Sequence, residues 1–189
     1  MPRPAKNRVT AIIDAAREVF EHKGFESATI DEITARAKVS KGLAYHYFKS
    51  KDDILGALIK ARLDELDDLV VRLRTEPRPK IRLRLLVDQL VDDLTKGEDR
   101  QRFLITTFLQ KKHNKLVAKA MRESPDRFAS LHDEELRLLA DLGCKSAEAE
   151  LPLFRATLQG MVMLYLLNPA GFPLQATAEL FITKYQKEM

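Results

Sequence analysis

Three helix starts follow one another between residues 29 and 53, and their spacing constrains the fold more than any other feature of the chain. Thr29-Ile30-Asp31-Glu32 has the form of a capping box. In such a box the threonine hydroxyl accepts an N–H from the first turn and the glutamate reaches back to the cap. Ser40 stands as a cap before Lys41, and Ser50-Lys51-Asp52-Asp53 repeats the box-like form. These caps predict a helix over 30–37, a turn at Lys38-Val39-Ser40, a helix over 41–48 and a long helix from 51 to about 74. Two short helices joined by about three residues must cross steeply over a small apolar centre. Ile30, Ile33, Ala37, Val39, Ala44 and Phe48 can supply that centre, with Phe20 and Leu55.

The rest of the chain also reads as helix, with no sustained period-two alternation and no Asn-Gly or Asp-Gly hairpin turn. Val9, Ile12, Ile13, Ala16, Val19 and Phe20 form one apolar stripe over 8–23. Gly24 suits a left-handed cap at its end. Pro77 and Pro79 break the pattern and suggest a boundary between regions. Helical spacing resumes over 80–96, 99–112, 114–123, 126–142, 147–167 and 173–187, with Pro152 either starting or kinking the fifth of these. The expected class is therefore all-α.

Charge is unevenly placed. The net charge is +4, and residues 1–51 hold ten Lys/Arg against six Asp/Glu, so the remainder is balanced at 22 of each. Within the first quarter, Arg36, Lys38, Lys41, Lys49 and Lys51 face only Glu32 between residues 32 and 51. A basic patch on a neutral body is the expected footprint of a nucleic-acid module. Other classes find little support. No apolar run approaches a membrane span, and no apolar segment follows the basic start as in a secretory signal. The single cysteine, Cys144, precludes a disulfide within the chain, so a cytoplasmic protein is expected. No two of His22, His46, His113 and His132 lie at metal-ligand spacing on a helix, and no phosphate loop, triad or paired-carboxylate constellation points to an enzyme. No cofactor or metal is expected.

The stretch from Gly24-Phe25 through Thr29-Ile30-Asp31-Glu32-Ile33 to Val39-Ser40-Lys41-Gly42-Leu43-Ala44-Tyr45-His46-Tyr47-Phe48-Lys49-Ser50-Lys51 resembles the TetR family of bacterial transcriptional regulators. The likeness covers about residues 6–66 and is carried by Tyr-His-Tyr-Phe, the following Lys-x-Lys and the upstream Gly-Phe. It implies a DNA-binding domain over 6–66 with its helix-turn-helix at 29–48, and a helical regulatory and dimerisation domain over 67–189. It further implies that Thr29 bonds a phosphate and that Ser40, Lys41, Gly42 and Leu43 lead the recognition helix, with Lys41 reaching guanine edges. Tyr45 would pack on the sugar-phosphate backbone, His46 or Tyr47 would touch phosphate, and Lys51 would add charge where the next helix begins. Two positions depart from the family pattern: Lys38 stands where glycine is usual in the turn, and Leu43-Ala44 replaces Thr-Leu.

The same resemblance implies a homodimer on a palindromic operator, a small-molecule effector, and repression. Residues 151–167 are apolar nearly all round, more than one face of a monomer buries, which fits either a dimer helix or a central core helix. Phe154, Leu158, Gly160, Met161, Tyr165 and Phe181 are the expected dimer residues. Phe103, Thr106, Thr107, Phe108 and Gln159 mix apolar walls with polar groups as an effector pocket does, and are equally compatible with an ordinary core. The competing functions are an enzyme with an accessory motif, an architectural protein that binds DNA without sequence preference, and a helical adaptor.

Overall fold

The computed structural model describes residues 5–187, with the side chains of residues 5–7, 108, 112, 114, 117, 120, 121, 128 and 187 outside the description. The described residues form helices α1 (Ala5–Ser27), α2 (Ile30–Ala37), α3 (Lys41–Tyr47), α4 (Lys51–Thr75), α5 (Pro79–Lys96), α6 (Glu98–Leu109), α7 (Asn114–Glu123), α8 (Pro125–Asp141), α9 (Ala147–Leu167) and α10 (Leu174–Lys187). A single 3₁₀ turn, Lys111–His113, precedes α7. Among them there is no strand, no helix long and apolar enough to cross a membrane, and no cluster of three potential metal ligands.

The helix bounds follow from local chemistry. Glu32 N–H donates to Thr29 Oγ1 at 3.2 Å and Thr29 N–H to Glu32 Oε2 at 3.1 Å, so both arms of the capping box are closed. Ser40 Oγ accepts from Leu43 N–H at 3.2 Å and Ser50 Oγ from Asp53 N–H at 3.1 Å. At this third start the returning carboxylate takes a different donor: Asp53 accepts the N–H of Lys49 at 2.9 Å. Gly24 interrupts α1 with φ 76° and ψ 158°, a positive-φ extended conformation in place of the expected left-handed cap. Pro152 lies inside α9, where its ring removes a donor from the second turn.

The chain forms two compact units. One comprises residues 1–64 and 99–123, the other 65–98 and 124–189. The division falls inside α4, at 64/65, and Pro77 and Pro79 lie within the second unit. Compactness thus groups α6 and α7 with the N-terminal helices, which the linear pattern of breakers did not indicate.

In the first unit, Ile33, Ala37, Ala44 and Phe48 of the helix pair are buried with Ile12, Phe20, Ile54 and Leu55. Ile30 and Val39 pack on this core while staying partly exposed. Phe20 is the hub: its ring meets Phe25 edge-on at 5.2 Å and stacks on Phe103 at 5.8 Å. The second unit is centred on Leu73, Leu83, Val87, Leu138, Leu139 and Phe154. There the rings of Phe154, Phe181 and Tyr185 form a mutual cluster with centroids 4.9–5.2 Å apart.

Candidate nucleic-acid interface

Helix α3 is seven residues long, and only Ala44 within it is buried. Its register therefore presents Lys41, Gly42, Tyr45 and His46 outward, with Tyr45 46% exposed, while Leu43 and Tyr47 are half-buried. Tyr47 packs against the core and its ring meets His46 edge-on at 5.0 Å. Gly42 has nothing within 4 Å of where a Cβ would stand, so the absent side chain keeps the leading end of α3 slim rather than relieving an internal contact.

Thr29 is exposed, and its hydroxyl oxygen is committed as the cap acceptor of α2. The O–H itself remains able to donate outward, which is what an oxyanion requires. Glu32, the other half of the box, is held below its ordinary carboxylate range by the Lys23 ammonium first and the Thr29 N–H second.

Several of the cations that make this region basic are engaged within the protein. Arg36 pairs with Glu18 and Lys23 with Glu32. Lys41 Nζ lies 2.6 Å from Asp31 Oδ1, which raises its pKa, yet both groups are exposed. An exposed pair contributes little and is readily exchanged for another anion. Lys51 differs. Its ammonium donates to the carbonyls of Glu26 and Ala28, both at 2.9 Å, and sits 4.5 Å from the centroid of the Phe25 ring. It thus ties the start of α4 to the last turn of α1 and to the link that follows it. Lys38 and Lys49 have exposed side chains that make no ion pair among the described residues.

The residues expected to line an effector pocket are distributed over both units. Phe103 is buried against Phe20, and Thr107 is buried with its carbonyl oxygen 3.2 Å from His113 Nδ1. Thr106 is exposed and its hydroxyl donates to the Arg102 and Phe103 carbonyls. Gln159 is exposed in the other unit, and the Phe108 side chain lies outside the described residues. Of the expected dimer residues, Phe154, Leu158, Met161 and Phe181 are buried, while Gly160 and Tyr165 are half-exposed. The face that α9 leaves open is a different one: Leu153, Met163, Leu164 and Leu167 are 37–74% exposed, and Leu180 of α10 is 70% exposed. Helix α9 is apolar on nearly every side, so its periodicity carried no phase by which to tell these two faces apart.

Residues 12–58 match the model of bacterial regulatory proteins of the tetR family. The chain is 30% identical over 131 residues to the HTH-type transcriptional regulator BetI of Stenotrophomonas maltophilia, covering 68% of this chain and 67% of that one. It is 32% identical over 111 residues to the HTH-type transcriptional repressor Rv3405c of Mycobacterium tuberculosis, covering 54% and 57%. In fold it is similar to a transcriptional regulator FadR from Bacillus subtilis, solved in complex with stearoyl-CoA, with a TM-score of 0.74 at 19% identity over 95% of this chain and 98% of that one.

Proposed function

The chain belongs to the TetR family of bacterial transcriptional regulators, and from that premise we propose that it acts as a ligand-responsive repressor, a homodimer that occupies a palindromic operator. The observation that carries this is the exposed outer face of α3, capped at Ser40 and seated on a core that leaves Lys41, Gly42 and Tyr45 outward. Such a helix enters the major groove, and two of them about 34 Å apart meet successive grooves on one side of a duplex.

Within this assignment, Thr29 and Ser40 donate hydroxyl protons to phosphate, and His46 and Tyr47 border the backbone. Lys41 exchanges Asp31 for a base edge or phosphate. Leu43 and Tyr45 contribute apolar contact at the groove floor and wall. Lys51 acts through the backbone it braces, positioning the Thr29 cap rather than lending a free charge. The dimer is formed by the open α9 face at Leu153, Gly160, Leu164 and Leu167 with Leu180 of α10, since an apolar surface of this extent is otherwise left in water. The named complex of the Bacillus subtilis neighbour with stearoyl-CoA, together with the repressor name of the Mycobacterium tuberculosis relative, supports a small-molecule effector and repression. Effector binding lowers operator affinity by shifting the population of two states, and α4, whose residues are divided between the two units, couples them.

Selection of bound duplexes from a random pool tests the assignment. A palindromic consensus is expected. Retention without any consensus favours an architectural protein, and no retention at all removes DNA from the function.

A further inference from the structure

We propose that Lys38 and Arg8 form a backbone-phosphate contact beside the recognition helix, a site that rests on the operator-binding assignment above and extends it beyond the helix-turn-helix residues already placed there. The first observation is conformational. Lys38 closes α2 with φ 55° and ψ 46°, and it is the one non-glycine residue with positive φ among the described residues. Its N–H donates to the Ala35 carbonyl at 3.2 Å and that of Val39 to Thr34 at 3.1 Å, the paired bonds of a Schellman ending. The same ending closes α8, where Gly143 donates to Ala140 at 2.8 Å and Cys144 to Leu139 at 3.0 Å, and there the positive φ of 89° belongs to glycine. The fold therefore tolerates a strained side chain at 38 where glycine does the same work at 143. Strain of this kind is retained where the side chain has a use.

The second observation is the groove that this turn borders. An open groove of about 410 Å³ runs between α1 and the turn, lined by Arg8, Lys38, Val39, Ser40 and Leu43 with two alanines, and no carboxylate faces it. Neither the Lys38 nor the Arg8 side chain makes an ion pair or hydrogen bond among the described residues, whereas Arg36 and Lys41 each have a carboxylate and Lys51 has two carbonyls. Two uncompensated cations beside the Ser40 hydroxyl, with no acid between them, select an anion. The groove borders the leading end of α3, so the anion available when α3 lies in a major groove is the phosphate backbone flanking it.

The test measures affinity for a duplex selected with the wild-type protein as a function of salt. Each phosphate contact contributes about 0.9 to the slope of log K against log salt. Lys38→Gly is expected to lower the slope by about twice that amount, because the substitution removes one contact from each protomer of the homodimer, with the consensus unchanged, and to melt no lower than wild type, because glycine accepts the turn conformation. Lys38→Arg should keep the slope. Arg8→Gln should lower it by a similar amount, and the double variant by about twice as much. An unchanged slope in Lys38→Gly and Arg8→Gln overturns the inference while leaving the regulator intact. A changed consensus in Lys38→Gly overturns it as well, since that makes Lys38 a base reader. If the wild-type protein retains no duplex, the operator-binding assignment itself fails and the inference falls with it.

Discussion

At the scale of single residues, the cations of the N-terminal unit divide by what they touch. Lys51 is spent on structure: two carbonyl acceptors and an aromatic face absorb its ammonium. Replacing it with methionine keeps the stem and removes the donors. We expect Lys51→Met to destabilise the protein by about 2 kcal/mol, because the ammonium's charged hydrogen bonds and its cation–π attraction to Phe25 disappear together. An unshifted midpoint in urea denaturation would count against the brace. Glu135 offers a pH-dependent counterpart. It is buried, and desolvation raises its pKa from 4.5 against the opposing pull of Arg155 and, more weakly, His132. A raised folded-state value means that stability is fully present below the unfolded pKa and is lost as pH rises through the folded one. In Glu135→Gln that loss is absent. Between about pH 4 and pH 7 the stability difference should therefore move in favour of the variant, as read by thermal melts across pH. A difference that is flat or moves the other way contradicts burial as the dominant cause.

At the scale of elements, caps decide more than propensity does. Helix α2 has eight residues and α3 seven, too short to persist on intrinsic preference. Their ends are set by Thr29, Ser40 and the Lys38 ending, and their angle by the core around Phe20. Thr29→Ala should cost about 1 kcal/mol of stability in the absence of DNA, and Thr29→Ser should retain most of it. Equal melting of the alanine and wild-type proteins would show that the box is dispensable. The Thr29 and Ser40 caps were legible in the sequence because each involves residues three apart, whereas the left-handed ending at Lys38 was not, since lysine carries no signature for that conformation. The partners of Lys51 were not, because they lie 23 and 25 positions upstream and are main-chain carbonyls with no residue-type signature. The pairing of Arg36 with Glu18 was hidden for the same reason, and so the patch looked more uniformly available than it is.

At the scale of the whole molecule, the exposed apolar face of α9 and α10 is the feature a single chain leaves unfinished. Leu167 and Leu180 are more exposed than Tyr45 on the recognition helix. We expect the double variant Leu164→Asp/Leu180→Asp to sediment as a folded monomer where wild type sediments as a dimer. It should bind a palindromic duplex more weakly because the two half-sites are then engaged independently. A wild-type protein that sediments as a monomer at micromolar concentration removes this interface.

Helix content, the short-helix pair with its turn, the N-caps at Thr29 and Ser40 and the membership of the family followed from the amino-acid order, because they depend on contacts within a few residues and on a contiguous motif. Which side of α9 faces inward, which cations are already paired, and the grouping of residues 99–123 with the N-terminal helices were decided only by tertiary packing. In a helix that is apolar all round, and among charges whose partners lie far along the chain, the sequence pattern holds several arrangements of equal merit. Burial of Phe154 rather than Leu153, and of Phe103 against Phe20, chooses among them.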